Sequence, residues 1–419
     1  MAKNNTNPQV RFAGYTEDWE ERDLGEILTE RKVLQKISED APILAFAAGQ
    51  GVIDRSERKS NNRDHLTLDQ GNKIYKLTEL NDIVYNPSNL KYGAIDRNKL
   101  GRGVISPIYV TFTTKIEPSF VELIVKSEKF KLRALQYEEG TVVKRQSVKP
   151  ENLLSLKVNI SPSQEEQKQI GQLFDRLDFI IKYHKINFDK LTTIKKAMLE
   201  KMFPKYGNIL PEVRFSEFDD AWTKCKLDDR ANFSKGQGYS KKDLVEKGTP
   251  IILYGSLYTN YQSIISEVNT FVNANNDAVY STGKEVIVPA SGESAEDIAR
   301  ASALIQSGVI LGGDLNIIYP DSSINSTFLA LSISNGTQQK KLTKLAQGKS
   351  VVHLRNKDLK QVEILYPSLD EQTKIGTFFQ QIDNLIGLHK KEYEKIKNIK
   401  KACFEKMTNS LSGQNLKDI

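Results

Sequence analysis

EQKQIGQLFDRLDFIIKYHKINFDKLTTIKKAMLEKM, Glu166–Met202, and EQTKIGTFFQQIDNLIGLHKKEYEKIKNIKKACFEKM, Glu371–Met407, are two copies of one block. About 17 of their 37 positions are identical at an offset of roughly 205 residues, far more than chance produces. Neither block contains proline. Each follows a serine, Ser163 or Ser368, and opens with acidic residues (Glu165 and Glu166; Asp370 and Glu371), the N-cap and dipole signals of a helix start. Ile170, Leu177, His184, Leu191 and Met198 recur every seven residues, interleaved with Phe174, Ile181, Phe188 and Met202. Ile375, Ile382, His389, Ile396 and Cys403 do the same, interleaved with Phe379, Ile386, Tyr393 and Met407. The spacing predicts two helices, each about 55 Å long, with one apolar heptad seam apiece. The seam lapses at Lys195 and Lys400, where the neighbouring Ile194 and Ile399 are expected to substitute. An apolar stripe of that length cannot be left in water, so the helices are expected to pair. Tandem copies related by a pseudo-two-fold axis make that pair antiparallel. His184 and His389 are expected to be seam residues, not metal ligands.

A second repeat stands ahead of each helix. PQVRFAGYTEDWEERDL (Pro8–Leu24) and PEVRFSEFDDAWTKCKL (Pro211–Leu227) share Pro, Val, Arg, Phe, Trp and Leu in step. Between the repeats the copies correspond only in outline. DIVYNPSN (Asp82–Asn89) matches EVIVPASG (Glu285–Gly292), GVISPIYVTF (Gly103–Phe112) matches GVILGGDLNIIY (Gly308–Tyr319), and APILAF (Ala41–Phe46) matches TPIILY (Thr249–Tyr254). These β-branched runs bounded by Gly, Pro, Asn and Ser read as strands. The expected fold is therefore α+β: two β-rich domains joined by two long helices that form an antiparallel coiled coil, the whole an internal duplication. The boundaries are residues 1–165 for the first domain, 166–204 for the central helix, 205–370 for the second domain, 371–408 for the distal helix and 409–419 for a polar tail. In such a circular arrangement the chain end returns to the segment preceding Pro8.

Composition sets broad limits. The 419 residues carry 60 Lys and Arg against 53 Asp and Glu, a net charge of +7, which is compatible with a polyanionic partner without demanding one. Two cysteines, Cys225 and Cys403, make no disulfide framework and fit a reducing compartment. No apolar export segment opens the chain, and no window approaches the ~20 apolar residues of a membrane span. The expectation is a cytoplasmic protein with no membrane partner.

The arrangement resembles the specificity (S) subunits of type I restriction–modification enzymes over nearly the whole chain. The resemblance is carried by the P-x-VRF…W-x-x-x-x-L segments, by IVYNPSNLKYGAI…GVISPIYVTF in the first domain and by GTPIILYGSLYT in the second. The transitions LSLKVNISPSQEEQKQIG and LKQVEILYPSLDEQTKIG into the helices carry it further. It implies that each variable region is a target recognition domain reading one half of a split, asymmetric DNA sequence. It implies that the helices space the two halves and that two modification (M) subunits dock on them. S-adenosylmethionine belongs to M, which methylates adenine. ATP and Mg belong to the restriction (R) subunits of the full complex. This chain itself is then not an enzyme and binds no cofactor or metal.

The rival readings are an adenine methyltransferase in its own right, or a stand-alone DNA-binding or scaffold protein. Asn86-Pro87-Ser88-Asn89 lacks the second proline and the aromatic with which amino-methyltransferases hold a flipped base. Pro320-Asp321 with Asp358-Leu359-Lys360 is too widely spaced for a nuclease pattern. Four scattered histidines and two distant cysteines offer no zinc spacing, and Gly236-Gln237-Gly238 is too short for a phosphate loop. A scaffold explains the helices but not two heads with divergent loops.

Base readout needs Arg, Lys, Asn, Gln, Ser or Thr on loops that enter a groove. In the first domain the candidates are Lys91, Tyr92, Arg97 and Arg102 between two strands, and Lys144, Arg145, Gln146 and Ser147 before the helix. In the second they are Lys235, Gln237 and Tyr239 on a Gly-rich loop, Tyr254 and Tyr258 after a strand end, and Lys349 and His353 before the helix.

Overall fold

The computed structural model describes residues 7–47, 49–57, 73–140, 146–205, 207–346, 348 and 351–408. Among them, six helices of eight residues or more carry the architecture: α1 (Pro118–Lys126), α2 (Glu128–Leu135), α3 (Gln164–Lys201), α4 (Ser326–Ile333), α5 (Gly336–Leu345) and α6 (Leu369–Thr408). The long ones, α3 and α6, begin where the capping signals put them. Ser163 Oγ accepts the Glu166 N–H, and Ser368 Oγ accepts that of Glu371. The chain forms two compact units, Met1–His184 with Glu392–Ile419 and Lys185–Lys391. Each contains one head, the first half of one long helix and the second half of the other.

In unit 1 an antiparallel sheet orders the strands Leu28–Glu30, Val110–Thr114, Ile83–Tyr85 and Ile95–Arg97. Unit 2 repeats that order with Ala231–Lys235, Leu315–Pro320, Glu285–Pro289 and Ser302–Leu304, then adds Ile264–Ile265 as a parallel edge. A two-stranded ribbon beside each helix start also repeats: Glu20–Asp23 with Lys157–Ile160, and Thr223–Lys226 with Glu363–Tyr366. The duplication read from the helices therefore extends to sheet topology.

Repeated residues clamp each head to its helix. Arg11 grips Glu166 with two bonds (2.6 and 2.9 Å), and Arg214 grips Glu371 with two (both 2.7 Å); both carboxylates are completely buried. Gln167 accepts the N–H of Glu117, the cap of α1, and Gln372 accepts that of Asn325, the cap of α4. The Pro-x-Val-Arg segments close the far ends of the helices. The N–H groups of Gln9 and Val10 donate to the Lys406 carbonyl, and the Val213 N–H donates to that of Lys201. The start of the chain thus returns to the end of α6, as the circular arrangement requires, while the tail 409–419 lies outside the described residues.

Within each unit the long helices run antiparallel. In unit 1, Phe174 meets Phe404 edge-on at 5.9 Å and Asp178 pairs with Lys400. In unit 2, Lys195 pairs with Asp383 at 2.5 Å and Phe203 lies 6.3 Å from Phe379. Ile170, Phe174, Leu177, Ile375, Phe379 and Ile382 are buried where the heads cover the seam. Ile181, His184, Leu191, Ile386, His389 and Ile396 are half-buried, since one partner helix covers only one side. One expectation is corrected. Ile194 and Ile399 do not fill the lapse in the seam but stay exposed. Lys195 and Lys400 occupy it themselves, each neutralised by the opposite helix.

Candidate nucleic-acid interface

In unit 1 the turn Pro87–Tyr92 is built by its own sequence. Asn86, nearly buried, accepts the Ser88 N–H, Pro87 opens the turn, and Gly93 closes it with φ of 75°. Asn86 therefore holds backbone together. Tyr92 projects from this turn, 67% exposed. Lys91 pairs with Glu138 at 3.5 Å and lies 5.7 Å from the Tyr92 ring centroid. Glu138 belongs to the ribbon Glu138–Glu139 with Ser147–Val148, and the Tyr85 hydroxyl donates to the Val148 carbonyl. Two candidate clusters separated in sequence thus meet: Lys91 and Tyr92 beside Gln146, which donates to the Gly140 carbonyl, and Ser147. Lys144 and Arg145 lie outside the described residues.

Arg97 is a correction. It is 9% exposed and bonded to Glu122 at 2.8 Å, Asp175 at 2.5 Å and Asn81 at 2.9 Å, which joins the sheet edge to α1 and α3. Burial works against its charge, but Glu122 and Asp175 outweigh it and hold its pKa above the ordinary value. A guanidinium this buried, with its charge met by two carboxylates, is a poor ligand for a phosphate. Arg102 is half-exposed and reaches Glu79 at 3.1 Å and Gln35 at 3.3 Å.

In unit 2 the candidates gather around the turn Leu311–Gly313. Gln237 N–H donates to the Leu311 carbonyl, Gly313 N–H to that of Gly238, and Gly312 N–H to that of Ile252. The turn thus lies between the Lys235–Tyr239 loop and the strand end that leads to Tyr254. A side chain at Gly236 would overlap the Gly312 carbonyl, so glycine is required there. Lys235 and Gln237 are exposed at the rim. Tyr239 is half-buried, and its hydroxyl accepts the Asn275 N–H at 2.8 Å, which makes it a packing residue. Tyr254 and Tyr258 are half-buried with ring centroids 6.1 Å apart. Burial, and then the neighbouring Tyr254 and Glu293, push the Tyr258 phenol up.

His353 lies in a two-residue strand against Ser291–Gly292, its Nδ1 3.2 Å from Ser291 Oγ and its ring exposed. Two asparagines hold this segment over the sheet end. Asn316 donates to the Leu354 carbonyl and Asn356 to that of Ser234, both at 2.8 Å. Sequence reasoning missed both, the buried Asn316 and the half-buried Asn356, because an isolated asparagine leaves no periodic signal. Lys349 lies outside the described residues.

Among the described residues no group of three or more His, Cys, Asp or Glu could hold a metal ion, and no helix is long and apolar enough to cross a membrane.

The family model for the type I restriction modification DNA specificity domain matches residues 219–398. The type I restriction enzyme MjaVIII specificity subunit of Methanocaldococcus jannaschii is 22% identical over 309 residues, 71% of this chain and 68% of that one. The MjaIX specificity subunit of the same organism is 34% identical over 93 residues, 22% of this chain and 21% of that one. Among solved structures, the type I restriction-modification system S subunit from M. genitalium aligns with a TM-score of 0.61 at 14% identity, covering 96% of this chain and 99% of that one, a likeness of fold.

Proposed function

We propose that the chain, similar to type I restriction–modification specificity subunits over most of its length, is itself such a subunit and reads a split DNA target, one half with each head. The observation that carries this reading is the contrast between what repeats and what does not. The helix clamps, seam ion pairs and strand order are duplicated, while the loops over each sheet end differ in sequence and in build. One scaffold offering two different loop sets suits two different half-sites, and hence an asymmetric target. Heads carried on paired helices meet the same side of a duplex when their half-sites lie about one helical turn apart.

The candidates for contact are Tyr92, Arg102, Gln146 and Ser147 in unit 1, and Lys235, Gln237, Tyr254, Tyr258 and His353 in unit 2. Lys91, Lys144, Arg145 and Lys349 are the phosphate candidates. Two M subunits dock on the helices and use S-adenosylmethionine to methylate adenine. R subunits add ATP- and Mg-dependent translocation and cleavage. The chain described here supplies the address and no chemistry.

The test is to co-express the chain with candidate M subunits in a methylation-free host and map methyladenine by single-molecule sequencing. The expected result is a two-part asymmetric motif that disappears when this chain is omitted. A stable complex with M that leaves the genome unmethylated, or no complex at all, would count against the reading.

A further inference from the structure

Unit 2 contains a groove of about 940 Å³ between the C-terminal half of α3 and α5. Its floor is apolar: Leu199, Phe203 and Pro204, the last two buried. Its rim carries six lysines, at 195, 196, 205, 340, 341 and 344, against the single carboxylate of Glu200. Three of these lysines are already neutralised, Lys195 by Asp383, Lys205 by Glu212 and Lys341 by Glu363. Lys196, Lys340 and Lys344 are exposed and make no ion pair among the described residues. The N-terminus of α5, at Gly336 and Thr337, opens on the same groove and adds its positive dipole end.

The internal duplication supplies a control. Counted from the caps Ser127 and Asn335, the unit 1 positions that match Lys340 and Lys344 are Leu132 and Gln136. Lys401, which matches Lys196, faces Glu405 on its own helix at 4.0 Å. The two α5 lysines, Lys340 and Lys344, are thus not repeated in unit 1, where their matches are uncharged.

We propose that this groove seats an acidic segment of a partner polypeptide, one bulky apolar side chain on Leu199, Phe203 and Pro204 and its carboxylates on Lys196, Lys340 and Lys344. Basic clusters that recognise acidic peptide motifs combine charge with an anchoring pocket in this way. A duplex is the less suited occupant. Its backbone has no apolar group to cover the floor, and the groove is the size of a pocket for a few side chains. The inference goes beyond DNA reading and does not depend on it.

The test uses the full chain and a fluorescein-labelled peptide of about twelve residues, Glu and Asp around a central Phe-Leu, followed by anisotropy at moderate salt. Saturable binding is expected, weakened roughly tenfold or more in Lys196→Glu/Lys340→Glu/Lys344→Glu and unchanged in Lys401→Glu. All four lysines are exposed, so these variants fold, which circular dichroism checks. A peptide with Ser-Gly in place of Phe-Leu is expected to bind several-fold more weakly. No saturable binding to the unaltered protein, or equal binding to the triple variant, overturns the proposal. So does displacement by a random-sequence duplex at lower concentration than by unlabelled peptide, which would make the groove a phosphate-backbone site.

Discussion

The duplicated Arg–Glu clamps should not be equally strong, because their carboxylates keep different donors when the arginine is removed. In Arg11→Met, Glu166 stays completely buried but still receives the Ser161 hydroxyl at 2.5 Å and the Trp19 indole N–H at 3.1 Å. In Arg214→Met, Glu371 is just as buried, Tyr366 stands where unit 1 has Ser161, and the Trp222 indole N–H has no hydrogen-bond partner among the described residues. Stranding a buried charge costs about 3–5 kcal/mol, and a hydrogen bond to a charged group offsets about 1.5–3. Arg214→Met should therefore cost unit 2 about 3–5 kcal/mol, and Arg11→Met should cost unit 1 about 1–3 kcal/mol.

The chain has two tryptophans, one in each unit, so urea unfolding followed by fluorescence reads unit 1 in a Trp222→Phe background and unit 2 in a Trp19→Phe background. The pH dependence adds a sign. Burial pushes the Glu166 carboxyl up, but Arg11, Ser161 and Trp19 outweigh it and hold the pKa below the usual 4.5. Its contribution is therefore present above that value and lost as pH falls below it. Without Arg11 the burial effect dominates, so the deficit of Arg11→Met should shrink as the medium is acidified. Equal costs for the two variants, or a deficit that widens toward acid, would refute the donor accounting.

Gly171→Ala should destabilise unit 1 by about 1–3 kcal/mol despite its gain in helix propensity, because the new Cβ overlaps Ser119 Oγ; thermal unfolding reads it. Gly387→Ala meets nothing within 4 Å and should stabilise by up to about 1 kcal/mol in the same assay. Lys400→Ala and Lys195→Ala should each weaken their own unit by about 0.5–1 kcal/mol at low salt, and by less in high-salt urea titrations. Burial opposes the Glu122 charge, yet Lys126, Lys99 and Arg97 lower its pKa to about 2, so its stabilisation is present above the usual 4.5 and fades as pH drops toward 2. Asp96 has the opposite sign, its pKa raised chiefly by burial, so acid titration of Glu122→Gln should lose the steep acid limb that Glu122 supplies. Arg145→Ala and Lys349→Ala should each weaken binding at one half-site only, measured with duplexes carrying single half-sites at moderate salt.

The two long helices, their starts at Ser163 and Ser368, the duplication and the main strands could all be read from the chain because each rests on local periodicity or on a repeat. Heptad spacing and β-branched runs are written among near neighbours, and a copied block announces itself by identity. The fate of individual charges was not legible. Nothing near Arg97 in sequence says that Glu122 and Asp175 will surround it, whereas Tyr92, on the same segment, is left in water. Lys195 and Lys400 break the seam pattern, yet each belongs in the seam because an aspartate on the opposite helix meets it there. The requirement for glycine at 171 and the cationic groove beside α5 likewise exist only once distant segments pack together. Local pattern along the chain was enough to show where the long helices and main strands lie, and that there are two copies. Tertiary structure decided which cations are neutralised and which remain available, because Coulomb pairing and solvent access depend on distance in space and not along the chain.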